Sequence, residues 1–173
     1  MPIHHQYFLS LSYLNQHIGA AASSHLPLRA PQTSDTDAMA ELMLEAYRGT
    51  IDYEGETLAE AVAEVKAYLA GARGGRPLLE VSRLAFDGER LAGACLAAEW
   101  HERQTALISY VMTHSEWKRR GVGRQALRAV LTALRAQDYR RVHAFITEGN
   151  IFSEQLFGRM GFQRGKGTPT QKT

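Results

Sequence analysis

The run Lys118-Arg119-Arg120-Gly121-Val122-Gly123-Arg124 combines residue types and a spacing that suit anion chemistry. Two glycines one residue apart let the backbone turn tightly, so that successive N–H groups converge on one place. A helix that opens there adds its own unpaired amides and the positive end of its dipole. Such a turn suits a phosphate or pyrophosphate, and Lys118, Arg119, Arg120 and Arg124 surround it with cationic charge. A basic glycine turn alone also describes ordinary helix starts, so its neighbours have to decide.

Upstream, Ala106 to Thr113 is a β-branched and aromatic run that reads as a strand. Downstream, Leu127, Val130, Leu131 and Leu134 form one stripe of a helix extending to about Tyr139. Val142 to Ile146 reads as a second strand, and Asn150 to Phe162 as a last helix and its exit. A dinucleotide-binding fold would give the same order of strand, turn, helix and strand.

The segment from Asn150 to Phe162 resembles the second signature of the GCN5-related N-acetyltransferases, the GNAT superfamily. Asn150, Ser153, Leu156-Phe157 and Gly161-Phe162 stand at that family's spacing. The earlier run resembles the family's first signature, Gln/Arg-x-x-Gly-x-Gly/Ala, with Lys118 in the leading position and Gly121 and Gly123 in place. The resemblance covers roughly residues 26 to 164. It implies an α/β (α+β) fold with a mixed, mostly antiparallel central sheet flanked by helices.

Composition agrees with one domain of that size. The chain has 173 residues, 45% of them apolar, enough for a substantial core. The lone Cys95 lies mid-strand, reads as a core residue, and suits a reducing, cytoplasmic setting. No apolar run is long enough to cross a bilayer. Residues 1–25 contain a short apolar stretch, but no Lys or Arg precedes it and serines interrupt it, against a secretory signal.

The net charge of +2 hides an asymmetry. Nine acidic residues between Asp35 and Lys66 face two basic ones, whereas eight basic residues between Lys118 and Arg141 face Asp138 alone. The basic half suits a polyphosphate ligand such as coenzyme A, and the acidic half a cationic acceptor. No aromatic residues interleave with the arginines, which argues against nucleic acid.

The supporting elements follow from local signals. Leu26 to Ala30 is a short strand, Ser34 a helix cap before Met39, Leu42 and Met43, and Thr57 with Glu60 a capping box for a helix ending at Gly71. Leu78 to Phe86, Asp87-Gly88 and Arg90 to Trp100 read as a hairpin. The resemblance implies two further strands after Phe162, and the polar, glycine-bearing stretch from Gln163 to Thr173 cannot supply both. Residues 165–173 are a polar tail, and residues 1–25 form an N-terminal extension before the domain at 26–164. Within it Tyr7, Leu9, Leu11 and Tyr13 mark one face of an extra strand. That strand is expected at a vacant sheet edge or across a homodimer, the alternative being an extension that pairs with nothing.

The resemblance implies direct transfer of an acetyl group from acetyl-CoA to a primary amine, on a small molecule or a protein, with no metal, nucleic acid or membrane involved. Val111, Met112 and Thr113 would align the pantetheine arm, with an N–H of Met112 or Thr113 polarising the thioester. Arg119, Arg120, Gly121, Val122, Gly123 and Arg124 would hold the pyrophosphate, and Asn150 and Phe157 the arm. Many relatives carry a tyrosine acid where this chain has Phe157, so Ser153, one turn earlier, is the acid candidate. Some carry a glutamate base where this chain has Phe145. Glu99 takes that role here, chosen over His101, Glu102 and Glu148 because a strand end at the cleft edge would raise its pKa. Tyr47, Asp52, Tyr53 and Glu54 lie where relatives bind the acceptor. The alternative function is a non-catalytic module that binds acetyl-CoA as a sensor or scaffold.

Overall fold

A computed structural model describes residues 2–14, 24–73, 75–100, 104–166 and 170–171. Its centre is a sheet of eight strands: β1 (Ile3–Ser10), β2 (Leu28–Arg29), β3 (Arg83–Asp87), β4 (Arg90–Glu99), β5 (Thr105–Thr113), β6 (Arg141–Thr147), β7 (Gln163–Arg164) and β8 (Thr170–Gln171). The spatial order is β2-β3-β4-β5-β6-β1-β7, with β8 also paired to β1. All pairings are antiparallel except β5 with β6.

Helices α1 (Thr36–Tyr47) and α2 (Leu58–Leu69) pack on one face, burying Met39, Leu42, Val65 and Tyr68 against Leu84, Leu96 and Met112. Helices α3 (Val122–Ala136) and α4 (Ile151–Arg159) cover the other face, where Leu127, Val130, Leu131, Leu134 and Phe157 meet Cys95, Ile108, Val142 and Ile146. The stripe read from the sequence of α3 is therefore a core stripe, and the helix ends three residues before Tyr139. Burial raises the pKa of Cys95, a structural thiol with no activating partner. Among the described residues no helix is long and apolar enough to cross a membrane.

Local signals worked where hydrogen bonds are short-range. Thr57 and Glu60 make the expected capping box at the start of α2. Ser34 is not the cap of α1. It lies inside a short 3-10 turn (Thr33–Asp35). Asp35 stands at the cap of α1 without a side-chain bond to that helix, its carboxylate accepting instead from the Gln32 N–H at 2.7 Å and from both terminal nitrogens of Arg29. An aspartate tied to a guanidinium outcompetes a serine hydroxyl, and that pairing holds the Asp35 carboxyl below its ordinary pKa. The first hairpin strand begins at Arg83, because Leu78 to Ser82 close a hydrogen-bonded turn.

The N-terminal strand is interior. Seven residues of β1 pair with β6, from His4 with Thr147 to Ser10 with Arg141. Its other side takes up the two short tail strands, through Tyr7 with Arg164, Phe8 with Gln163, Ile3 with Gln171 and His4 with Thr170. As the edge reading expects, β1 takes the sheet position beside β6, and it pairs within its own chain rather than across a dimer or with nothing. It is not the outermost strand because the tail, expected not to supply both further strands, contributes two of two residues each. The reason is burial: Tyr7, Leu9, Leu11 and Leu14 join the α3 core. The side chain of Tyr13 lies outside the described residues.

Candidate active site

The site is a break in the sheet. Strands β5 and β6 run parallel and stay paired only from Thr105 with Arg141 to Ile108 with Ala144. Beyond Ile108 they part. At the same place the β4–β5 register slips, Leu96 facing Tyr110 but Ala97 facing Ile108, so Ser109 is the extra residue of a β-bulge. A cavity of about 700 Å³ passes between the parted strands. It is lined from the α3/α4 face by Ala144, Ile146 and Phe157 and from the α1/α2 face by Met43, Tyr47 and Tyr110.

Past the gap β5 ends at Thr113, and a short 3-10 turn (Ser115–Trp117) joins it to the glycine turn. Arg119 (φ 64°) and Gly121 (φ 82°, ψ 6°) are both left-handed, and Gly121 caps α3. A side chain at Gly121 would strain this turn, since left-handed backbone disfavours any residue with a Cβ. The turn is set tightly on the sheet: a Cβ at Gly93 of β4 would stand 2.6 Å from Val122 Cγ1 and 3.0 Å from the Met112 carbonyl oxygen. Lys118 donates to the Ala46 carbonyl at the end of α1, 2.9 Å away, so it ties the turn to the α1 side. Residues 119–124 stand beyond the lining of the cavity. Of the three residues assigned to the pantetheine arm, Val111 lines the cavity, whereas the Met112 side chain is fully buried under α1 and α2. The strands begin to part four residues before Thr113.

Asn150 caps α4 by accepting from the Ser153 N–H at 3.0 Å and donates through Nδ2 to Asp52 at 2.6 Å. The other oxygen of Asp52 accepts from the Thr147 hydroxyl, and Thr147 Oγ1 also meets His4 Nδ1 at 3.2 Å. Asn150 and Asp52, assigned separately from the sequence to arm and acceptor, are thus joined. Tyr53 and Glu54 line the cavity as well. Tyr47 lies beside the two carboxylates Asp52 and Glu64, and burial, reinforced by those charges, pushes its pKa well above the usual tyrosine value. Across the cavity the Tyr110 hydroxyl donates to Glu64, which Arg73 grips in turn through three contacts of 2.8–2.9 Å.

The acid and base assignments fare differently. Ser153 lines the cavity one helical turn from Phe157, whose ring packs edge-on against Phe162 at 4.9 Å. Glu99 is at the wrong end of the sheet. It pairs with Ala106, where β5 and β6 are still joined, and it does not line the cavity. Arg76 binds it at 3.2 and 3.4 Å, and this hydrogen bonding lowers its pKa, the opposite of the lift expected of a base. Glu148 lies 3.5 Å from His5, and His101 and Glu102 fall outside the described residues. Missed from the sequence were His4, Glu64, Arg73, Ser109, Tyr110 and Thr147. Only Thr147 had a signal, as the residue after the predicted strand Val142 to Ile146 and shortly before Asn150.

Comparison with known proteins places this architecture. The fold is that of the GNAT acetyltransferases. A GCN5-related N-acetyltransferase from Sphaerobacter thermophilus superposes with a TM-score of 0.66 at 17% identity, over 95% of this chain and 50% of that one. A protein from Pyrococcus horikoshii gives 0.66 at 15% identity over 83% and 92% of the two chains. The ribosomal-protein-alanine N-acetyltransferase of Brucella melitensis gives 0.63 at 21%, over 80% and 85%. The chain spans about half the length of the Sphaerobacter protein. No curated protein sequence matches it. The sequence profile of the acetyltransferase (GNAT) family matches residues 36–162, and the chain belongs to that family.

Proposed function

We propose that the protein transfers the acetyl group of acetyl-CoA to a primary amine. The observation that carries this reading is that the strands part at Ser109 while the glycine turn sits against the far end of the same strand β5, where a Cβ at Gly123 would stand 3.0 Å from Thr113 Oγ1. This gives one elongated ligand an apolar slot for an acyl arm and, further along, a ring of helix-start amides for phosphates. Ser109 supports the fit. Its Oγ is buried where the strands part and has no hydrogen-bond partner among the described residues, which suits a polar group of a ligand.

In the reaction the amine nitrogen attacks the thioester carbonyl, the C–S bond breaks, and the proton lost by nitrogen balances the one gained by sulfur. Backbone amides of β5 and of the turn orient the donor, Asn150 and Phe157 flank its arm, and Val111 lines its path. Tyr47, Asp52, Tyr53 and Glu54 face the acceptor from the α1/α2 side, where carboxylates favour a cation. Phe157 has no proton to give, so the sulfur leaves as thiolate or takes a proton from Ser153 or solvent. That same Phe157 favours a second reading, a non-catalytic acetyl-CoA sensor.

A thermal melt with acetyl-CoA, ATP and NAD as separate ligands tests the donor. Acetyl-CoA at a hundred times its Kd should add about 2.7 kcal/mol, or about 5–10 °C. A rise with ATP or NAD but none with acetyl-CoA refutes the assignment. Amine-dependent thiol release separates enzyme from sensor.

A further inference from the structure

The cavity holds a second group without a hydrogen-bond partner, and it comes from the N-terminal strand. His4 reaches the lining from β1, opposite Thr147 of β6, and its Nε2 is buried with no hydrogen-bond partner among the described residues. The proton positions around it follow from valence. A threonine hydroxyl has one hydrogen, and that of Thr147 is committed to Asp52, since a carboxylate accepts and does not donate. Thr147 Oγ1 can therefore only accept from His4, 3.2 Å away, which requires the proton on Nδ1. Neutral His4 is then left with a bare lone pair on Nε2. The chain Asp52–Thr147–His4 holds an imidazole in one tautomer as a carboxylate does in a catalytic triad, with a hydroxyl interposed. Asn150 completes the brace by binding the second oxygen of Asp52 at 2.6 Å.

We propose that His4 is the general base of this site, a role that rests on the acetyltransferase reading. Nε2 takes the proton from the acceptor nitrogen as that nitrogen bonds to the acetyl carbon. The C–S electron pair leaves with sulfur, and the imidazolium returns the proton to the thiolate or to solvent, so that amine and thioester become amide and thiol. His4 lies on the side of the gap that carries Asp52, to which Thr147 joins it. Thr147 and Asp52 are positioning residues, acting through the imidazole.

Two measurements test this. Nitrogen-15 NMR of the ligand-free protein at neutral pH should show His4 as the Nδ1–H tautomer, and Thr147→Val should release it to the commoner Nε2–H form. An Nε2–H tautomer in the unaltered chain overturns the proposal, whether or not any amine is turned over. With acetyl-CoA and phenethylamine as the probe pair, His4→Gln should lower kcat about a hundredfold while leaving the KM for acetyl-CoA and its melting shift unchanged. A His4→Gln variant as fast as the parent overturns the proposal and leaves the acetyltransferase reading standing. Loss of the acetyl-CoA shift in the unaltered chain would instead defeat that reading, while the tautomer still reports on His4.

Discussion

The turn at residues 119–124 and the cluster of His4, Asp52, Thr147 and Asn150 serve the same parted sheet, and they are made in opposite ways. The turn is local. Six consecutive residues, two left-handed positions and the start of α3 make it, and the rest of the protein only has to hold it against Gly93 and Ala46. The cluster is distributed. It draws one side chain each from β1, the α1–α2 loop, β6 and the cap of α4, spread from residue 4 to residue 150. A site built of backbone tolerates variation in side chains and leaves its mark in glycine spacing. One built of side chains depends on register, and a slip of one residue in β1 would turn His4 to the other face of the sheet.

The largest effect should come from removing the distributed half's scaffold. Deleting residues 1–14 exposes the surroundings of Tyr7, Leu9, Leu11 and Leu14, each worth about 1.5–3 kcal/mol buried, against a total domain stability of about 5–15 kcal/mol. Circular dichroism should then show no cooperative unfolding transition. A truncated chain that melts like the full one would mean β1 is an accessory, and the contrast between the halves would collapse.

The local half should fail more selectively. Gly121→Val forces a β-branched residue into left-handed backbone, at about 1–2 kcal/mol or more, and turns the amides away from their focus. Calorimetry should report a Kd for acetyl-CoA raised at least tenfold, since about 1.4 kcal/mol corresponds to each factor of ten. An unaltered Kd would show that the turn does not bind the donor.

Glu99→Gln sharpens the comparison by doing almost nothing. The Glu99 carboxylate is 44% exposed and its ion pair with Arg76 is screened, so stability should change by less than about 0.5 kcal/mol and thiol release not at all. A large fall in kcat would return Glu99 to the mechanism and remove the need for His4.

The contrast also explains what could be read before the fold was known. Gly121, Gly123, Asn150 and Phe157 were legible because each is bound to a short-range requirement: a tight turn, a close helix, a cap, an aromatic neighbour. The α3 stripe and the Thr57–Glu60 box were legible for the same reason. Ser34 was misread because the deciding partner of Asp35 is Arg29, a charged side chain on the preceding strand rather than a backbone group in the helix. Glu99 was misread because a strand's sequence shows where it ends but not which end opens.

From the sequence alone came the family resemblance, the order of elements, the amphipathic faces and the glycine turn, all set by interactions within a few residues along the chain. The tertiary structure decided that β1 lies inside the sheet, that β5 and β6 part at Ser109, and that His4, Thr147, Asp52 and Asn150 meet. Those outcomes depend on pairing register and on burial between residues 36 to 143 positions apart, and no local pattern records either.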